Sequence, residues 1–380
     1  MPLRGSGRIW LLLLPLLMEG SGCTPLYVLR AAYEESRILM RREPIERVLA
    51  SHDLDAGERE KLELVLDVRR FAHERLGLQV AGAYSSFATV DGGAIVQVLS
   101  AADMTRLVPY RWWFPIVGSV DYKGFFHIEQ AEAEATRLHA QGYDTYIRPA
   151  GAFSTLGWFD DPVLSSWLEW DPVAIVDTLL HELLHRTFYL PGQTTFNESL
   201  ANFVGHRGAI VYFADRDGPG SASTGEAEAD WRRELDVARH LGEAKSRLTE
   251  IYSRAPEDQP ASAALLDERR QVFDELASAL RGPAPAHPPR KNFELNNAVL
   301  LSLLNYTTDL DRFDAVWQAT GSDLRATVER IASATENAAD PFAALAGLTG
   351  PPDSPHDEHG DTHAAAPRPR GGSLAAQGSP

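Results

Sequence analysis

The stretch Asp177-Thr178-Leu179-Leu180-His181-Glu182-Leu183-Leu184-His185 restricts what this chain can fold into more than any other. Ile175, Val176, Leu179, Leu180, Leu183 and Leu184 recur at helical spacing and form a broad apolar surface, so the segment is expected to be a helix set into a core. On that helix His181 and His185, four apart, lie one above the other, where both imidazoles can reach one ion. Glu182 stands beside the first, placed to take a proton from a water acidified by a metal. A helix carrying two surface histidines would show the same five letters, but the apolar surround argues for a dry, shaped site.

Beyond Tyr189 the run Leu190-Pro191-Gly192-Gln193 ends the helix, and Thr195 or Asn197 is expected to cap a second helix that carries Glu198 back toward the first. Two nitrogens and one carboxylate leave a fourth position for water, as catalytic zinc requires. The candidate metal ligands are therefore His181, His185 and Glu198, for one zinc ion per chain, with Glu182 as catalytic base. Asp177, one turn before His181, suits an orienting partner. His206 lies eight residues past Glu198, about 12 Å along an ideal helix, too far to share its ion. Tyr189 and Tyr306 are candidates for a second donor to an oxyanion. The metzincin pattern is excluded, because Phe188 and Pro191 stand where it needs Gly and a third His. A ligand Glu on the following helix fits the gluzincin type, although the interval is shorter than in thermolysin-like enzymes and Asn202 occupies a place usually held by Asp.

With 380 residues, 44% of them hydrophobic, the chain can fill one large domain or two modest ones. A formal charge of −17 disfavours nucleic acid and anionic membrane surfaces and leaves neutral or cationic substrates. Arg4 and Arg8, an apolar run over 9–18 and then Gly20-Ser21-Gly22-Cys23 make an export signal too short to span a membrane. The single cysteine follows Ser-Gly as in a bacterial lipobox, with Gly20 where Leu is usual, so Cys23 is expected to be the lipidated first residue of the mature chain; an ordinary secretory signal is the plainer alternative. One thiol excludes an intramolecular disulfide, so packing must hold the fold.

Four regions are expected: a signal peptide over 1–22, a zincin-like catalytic region over 23–213, a mainly helical region over 214–349 and a disordered tail over 350–380, whose His356, His359 and His363 lie among acids and suit a solvated tail better than a metal site. The fold class is α+β. Residues 24–78 carry helical periodicity, and β-prone runs follow at 84–90, 94–99 and 112–120, with Asp91-Gly92-Gly93 as a turn between the first two. These are expected to build one twisted sheet over the active helix, with Trp112, Trp113, Phe114, Phe125 and Phe126 as its core. Helix over 128–141, closed by Gly142, precedes a strand at 145–147. Residues 152–156 lie where an edge strand could pair with a peptide backbone, or form a surface loop. The stretch 214–226 reads as a loop, 227–281 as charged helices broken at 256–260, 283–289 as a linker, and 295–317 and 324–334 as helix.

Gly22-Cys23, Arg41-Arg42-Glu43-Pro44-Ile45, the run 62–69, Phe114-Pro115-Ile116-Val117-Gly118, the run 154–163, the histidine motif, Phe196-Asn197-Glu198 and, farther on, Asn296-Asn297-Ala298 with Tyr306 together resemble a family of bacterial aminopeptidases with a lipoprotein-type signal and an HExxH site. The resemblance implies a zinc-dependent peptidase with His181, His185 and Glu198 at the metal and Glu182 as the catalytic residue. Peptide substrates follow from the resemblance, the acidic charge argues against a nucleic-acid partner, and the signal with Cys23 leads to an expected place in the exported bacterial cell envelope, anchored in the periplasm to the outer membrane by lipid alone. The rival reading is a non-catalytic metal-binding envelope lipoprotein, a degenerate peptidase serving as a scaffold.

Overall fold

The computed structural model describes residues 39–51, 54–90, 96–114, 118–149, 160–254, 262–281 and 294–349. The signal segment, Cys23, the turn at 91–93, the edge strand expected at 152–156, the linker at 283–289 and the tail lie outside them. In chain order the elements are β1 (Glu43–Pro44), α1 (Ile45–Ala50), α2 (Ala56–Glu74), β2 (Ser86–Ala88), β3 (Gln97–Asp103), β4 (Trp112–Phe114), β5 (Gly118–Val120), β6 (Tyr122–Phe125), α3 (Ile128–His139), β7 (Tyr143–Pro149) and β8 (Val163–Leu164). After a 3-10 turn (Ser165–Glu169) the chain is helical: α4 (Pro172–Thr187), α5 (Thr194–Arg216), α6 (Ala222–Ser253), α7 (Ala263–Ala279), α8 (Asn297–Thr307), α9 (Leu310–Ala319), α10 (Leu324–Thr335) and α11 (Pro341–Leu345). The fold is mixed α+β with a helical C-terminal half.

The strands form three small sheets, ordered β1-β2-β8, β6-β3-β7 and β4-β5, rather than one. The two runs flanking 91–93 do not pair: Phe87 of β2 is matched to Val163, while β3 has β6 on one side and β7 on the other, which leaves it no free edge for β2. Tyr84 fixes the first pairing by donating its N–H to Asp161 O at 2.7 Å. The run 112–120 likewise carries two antiparallel strands, and strand alternation divides its tryptophans: Trp112 is buried, while Trp113 is 61% exposed; Phe125 of β6 is buried in the other sheet.

Helix α4 does not lie beneath the larger sheet. It packs against α2 and α5, and its core includes Ala88, Val163 and Leu164 of the β1-β2-β8 sheet and Phe313 and Ile331 from α9 and α10. The β6-β3-β7 sheet has a separate core with α3, built on Leu99, Ala101, Phe125, Ala131 and Leu138, and touches the helical half through α8. Helices α4 and α5 meet closely because α5 presents glycine at the crossing. A Cβ on Gly205 would lie 2.1 Å from Asp177 Oδ1 and 2.7 Å from its backbone O, and one on Gly208 would lie 2.5 Å from Leu180 Cδ1.

The loop expected at 214–226 shrinks to the few residues between Arg216 and Ala222, since Ser221 accepts from the N–H of Thr224 at 3.2 Å and starts α6 early. The stretch 295–317 is broken at Asp309, whose φ of 54° lies in the left-handed region and separates α8 from α9. Among the described residues no helix is long and apolar enough to cross a membrane.

Candidate metal centre

Asp171 accepts from the N–H of Ala174 at 2.8 Å and Pro172 occupies the first turn, so α4 starts with two strong N-terminal signals. Val173, Ala174, Ile175, Val176, Leu179, Leu180, Leu183 and Leu184 are buried, which turns the remaining stripe, Asp177, His181 and His185, toward α5. Neither Thr195 nor Asn197 caps α5, which begins at Thr194 after an uncapped Gln193. Both sit inside its first turn and do something else. Asn197 clamps the connecting loop, accepting from the N–H of Leu190 at 2.9 Å and donating to its carbonyl at 2.8 Å, while Thr195 donates to Asn305 Oδ1 of α8 at 2.7 Å. The clamp sets the position of the next residue, Glu198.

His181 Nε2 and His185 Nε2 stand 3.2 Å apart, and Glu198 Oε2 lies 3.4 Å from the first and 3.6 Å from the second. Three lone-pair groups thus aim at one point, an arrangement that a shared proton satisfies poorly and a divalent cation satisfies fully. Among the described residues this is the group of His, Cys, Asp and Glu able to hold a metal ion. The electrostatics agree. Burial would raise the carboxyl pKa of Glu198, but hydrogen bonds and charge from His181 and His185 hold it well below the usual carboxylate range. Burial would lower that of His181, yet its hydrogen bond to Glu198 and the charges of Glu182, Glu198 and Asp177 raise it, so three carboxylates make this a place for a cation.

A family model described as putative aminopeptidase matches residues 26–341. The chain belongs to this aminopeptidase family. No curated protein and no solved structure matches the chain. The matched span contains every candidate site residue named from sequence except Cys23, together with the groups packed around them.

The side chain of Glu182, next to His181, has no hydrogen bond or ion pair among the described residues, so its carboxylate is available to water. Asp177 faces His206, with Oδ2 3.8 Å from His206 Nδ1, and its buried Oδ1 has no partner among the described residues. Tyr189 is 46% exposed, its ring 6.3 Å from that of His185. Tyr306 stacks on His181 at 6.1 Å and 28°. Asn202 turns away from the histidines, donating to Glu234 Oε1 at 2.8 Å and to the carbonyl of Tyr306 at 2.9 Å, so it fastens α8 to the site.

Three residues near the site were not visible in the sequence. Arg148 of β7 donates to Tyr306 Oη at 3.2 Å. Tyr122 of β6 has its phenol pKa raised first by burial and then by the charge of Glu198. Glu234 is reached only through Asn202. Strand residues 33 or more positions upstream of His181 carry no local signal of this role; only the tertiary fold brings them in.

Proposed function

We propose that this family member is a zinc-dependent peptidase of zincin-like fold, acting as an aminopeptidase. The observation that carries the reading is the convergence of His181 Nε2, His185 Nε2 and Glu198 Oε2 beside Glu182, whose side chain is unpartnered among the described residues, in a chain of an aminopeptidase family. His181, His185 and Glu198 would hold the ion. When bound there, zinc supplies Lewis acidity, acidifying water and polarising a carbonyl. Glu182 accepts the proton of the attacking water and hands it to the leaving amine. Tyr306, against His181, is placed to donate to the oxygen on which charge develops, and Tyr189 stands at the open side of the site.

The test is Glu182→Gln. The variant is expected to bind one zinc per chain, measured by elemental analysis, and to lose hydrolysis of aminoacyl and peptide substrates, because an amide cannot take the proton while the ligands stay intact. Undiminished turnover would remove Glu182 as base, and wild-type protein that holds zinc without cleaving any peptide would support the scaffold reading. We further propose that the protein is exported and anchored by lipid on Cys23; mass spectrometry of the mature protein should find a diacylated Cys23 at its N-terminus, and an unmodified terminus elsewhere overturns the anchor.

A further inference from the structure

Arg148 reaches the site from β7, where its backbone pairs with Val98, and Tyr306 reaches it from α8. The guanidinium Nη2 donates to Tyr306 Oη at 3.2 Å, and its carbon lies 5.9 Å from the centre of the same ring. Both side chains are half-buried. Among the described residues no carboxylate lies within 4.0 Å of Arg148, although acids outnumber bases in this chain by 53 to 36. The Tyr306 phenol first, then Tyr146 and Glu198, outweigh burial and hold the guanidinium's pKa above its ordinary value. An arginine so placed is paired to a phenol and not to an acid.

A guanidinium can only donate. Because Arg148 donates to a lone pair of Tyr306 Oη, the phenol's own proton must point elsewhere, and among the described residues nothing accepts it. The ring stacks on that of His181, centroids 6.1 Å apart at 28°, so the hydroxyl is carried beside the histidine pair with its proton uncommitted among the described residues. We propose that Arg148 is a positioning residue, which holds the Tyr306 hydroxyl with its proton directed into the cleft and strengthens it as a donor to a developing oxyanion. The role rests on the peptidase reading above. A lysine would not replace it, since a point charge on a flexible stem neither fixes the hydroxyl plane nor lies over the ring.

The experiment is a double-mutant cycle of Arg148→Met and Tyr306→Phe on the zinc-loaded full chain, reading kcat and KM for one peptide substrate, with zinc content and melting temperature for each variant. Tyr306→Phe should lower kcat by roughly 100-fold, as loss of an oxyanion donor does. Arg148→Met should lower kcat by about 10-fold or more with KM and zinc content unchanged, and the double variant should be no slower than Tyr306→Phe alone. Losses that multiply, or a rise in KM at constant kcat, overturn the positioning role while leaving the hydrolase standing. If Arg148→Met loses zinc or melts early, Arg148→Gln is run through the same cycle, and the same defects in that variant make the role structural and overturn the proposal. Wild-type protein that binds zinc and hydrolyses nothing overturns the peptidase reading, and this role with it.

Discussion

Glu198 and His206 share one helix, and only Glu198 faces the histidine pair; His206 points at Asp177 and packs its ring 5.6 Å from that of Trp231. Glu198→Ala is therefore expected to weaken zinc binding by more than the roughly 10–100-fold that loss of an outer hydrogen-bond partner costs, and to abolish turnover. His206→Ala should leave both nearly intact. Competition titration with a chromogenic chelator measures each, and the reverse order of effects would discard Glu198 as a ligand. At this scale the sequence was readable wherever helical spacing alone decides the outcome: His181 to His185 is one turn, and Glu198 lies just past a short breaker run. It misled where a side chain had two possible jobs. Asn197 and Thr195 are good cap residues, yet their hydrogen bonds go to the loop and to α8. Arg148 was unreadable because its partner is 158 residues away.

At the scale of elements, the crossing of α4 and α5 decides whether the ligands meet. Gly205→Ala would put a methyl group 2.7 Å from the backbone oxygen of Asp177, which no side-chain rotation can relieve. The expected cost is about 1–3 kcal/mol of stability, and the outward shift of α5 should also draw Glu198 from the histidines and weaken zinc binding. Urea unfolding and zinc titration of the variant check the two effects, and a fully stable protein with wild-type affinity would show that the helices part without moving the ligands. The glycines were present in the sequence, three apart on what read as helix, but their partner Asp177 could be assigned only once the crossing was known. The sheets were harder to foresee than the helices. Strands of two to four residues have too little alternation to declare a register, and the Asp91-Gly92-Gly93 signal was overruled by partners on either side of β3.

Across the whole molecule, one buried polar network joins the β6-β3-β7 sheet to the helical half. Asp144 of β7 accepts from Arg269 of α7 and from the N–H of Asn297 at 2.9 Å; Tyr252 of α6 donates to Asn297 Oδ1 at 2.9 Å, and Asn297 Nδ2 donates to the Asp103 carbonyl at 2.8 Å. Asp144→Ala leaves the Arg269 side chain, 14% exposed, without its carboxylate, so a loss of about 3–5 kcal/mol is expected. Calorimetry should show it as a lower melting temperature, and an unchanged one would mean that apolar packing alone joins sheet to helices. Mixed α+β class and the helical second half followed from periodicity. The seating of α4 on α2 and α5 did not, because a broad apolar surface does not state which neighbour covers which part of it.

The two helices that bring the metal-binding group together are consecutive, joined only by residues 188–193. Closing His185 onto Glu198 spans thirteen positions, whereas closing Arg148 onto Tyr306 spans 158. By loop-closure entropy the second contact costs about 2 kcal/mol more to form from an open chain. The candidate metal group is thus closed by a local helical hairpin, which a folding chain reaches at lower entropic cost than the arginine–tyrosine contact. On the proposed reading, a chain caught part-way through folding would capture metal before it could turn over a peptide.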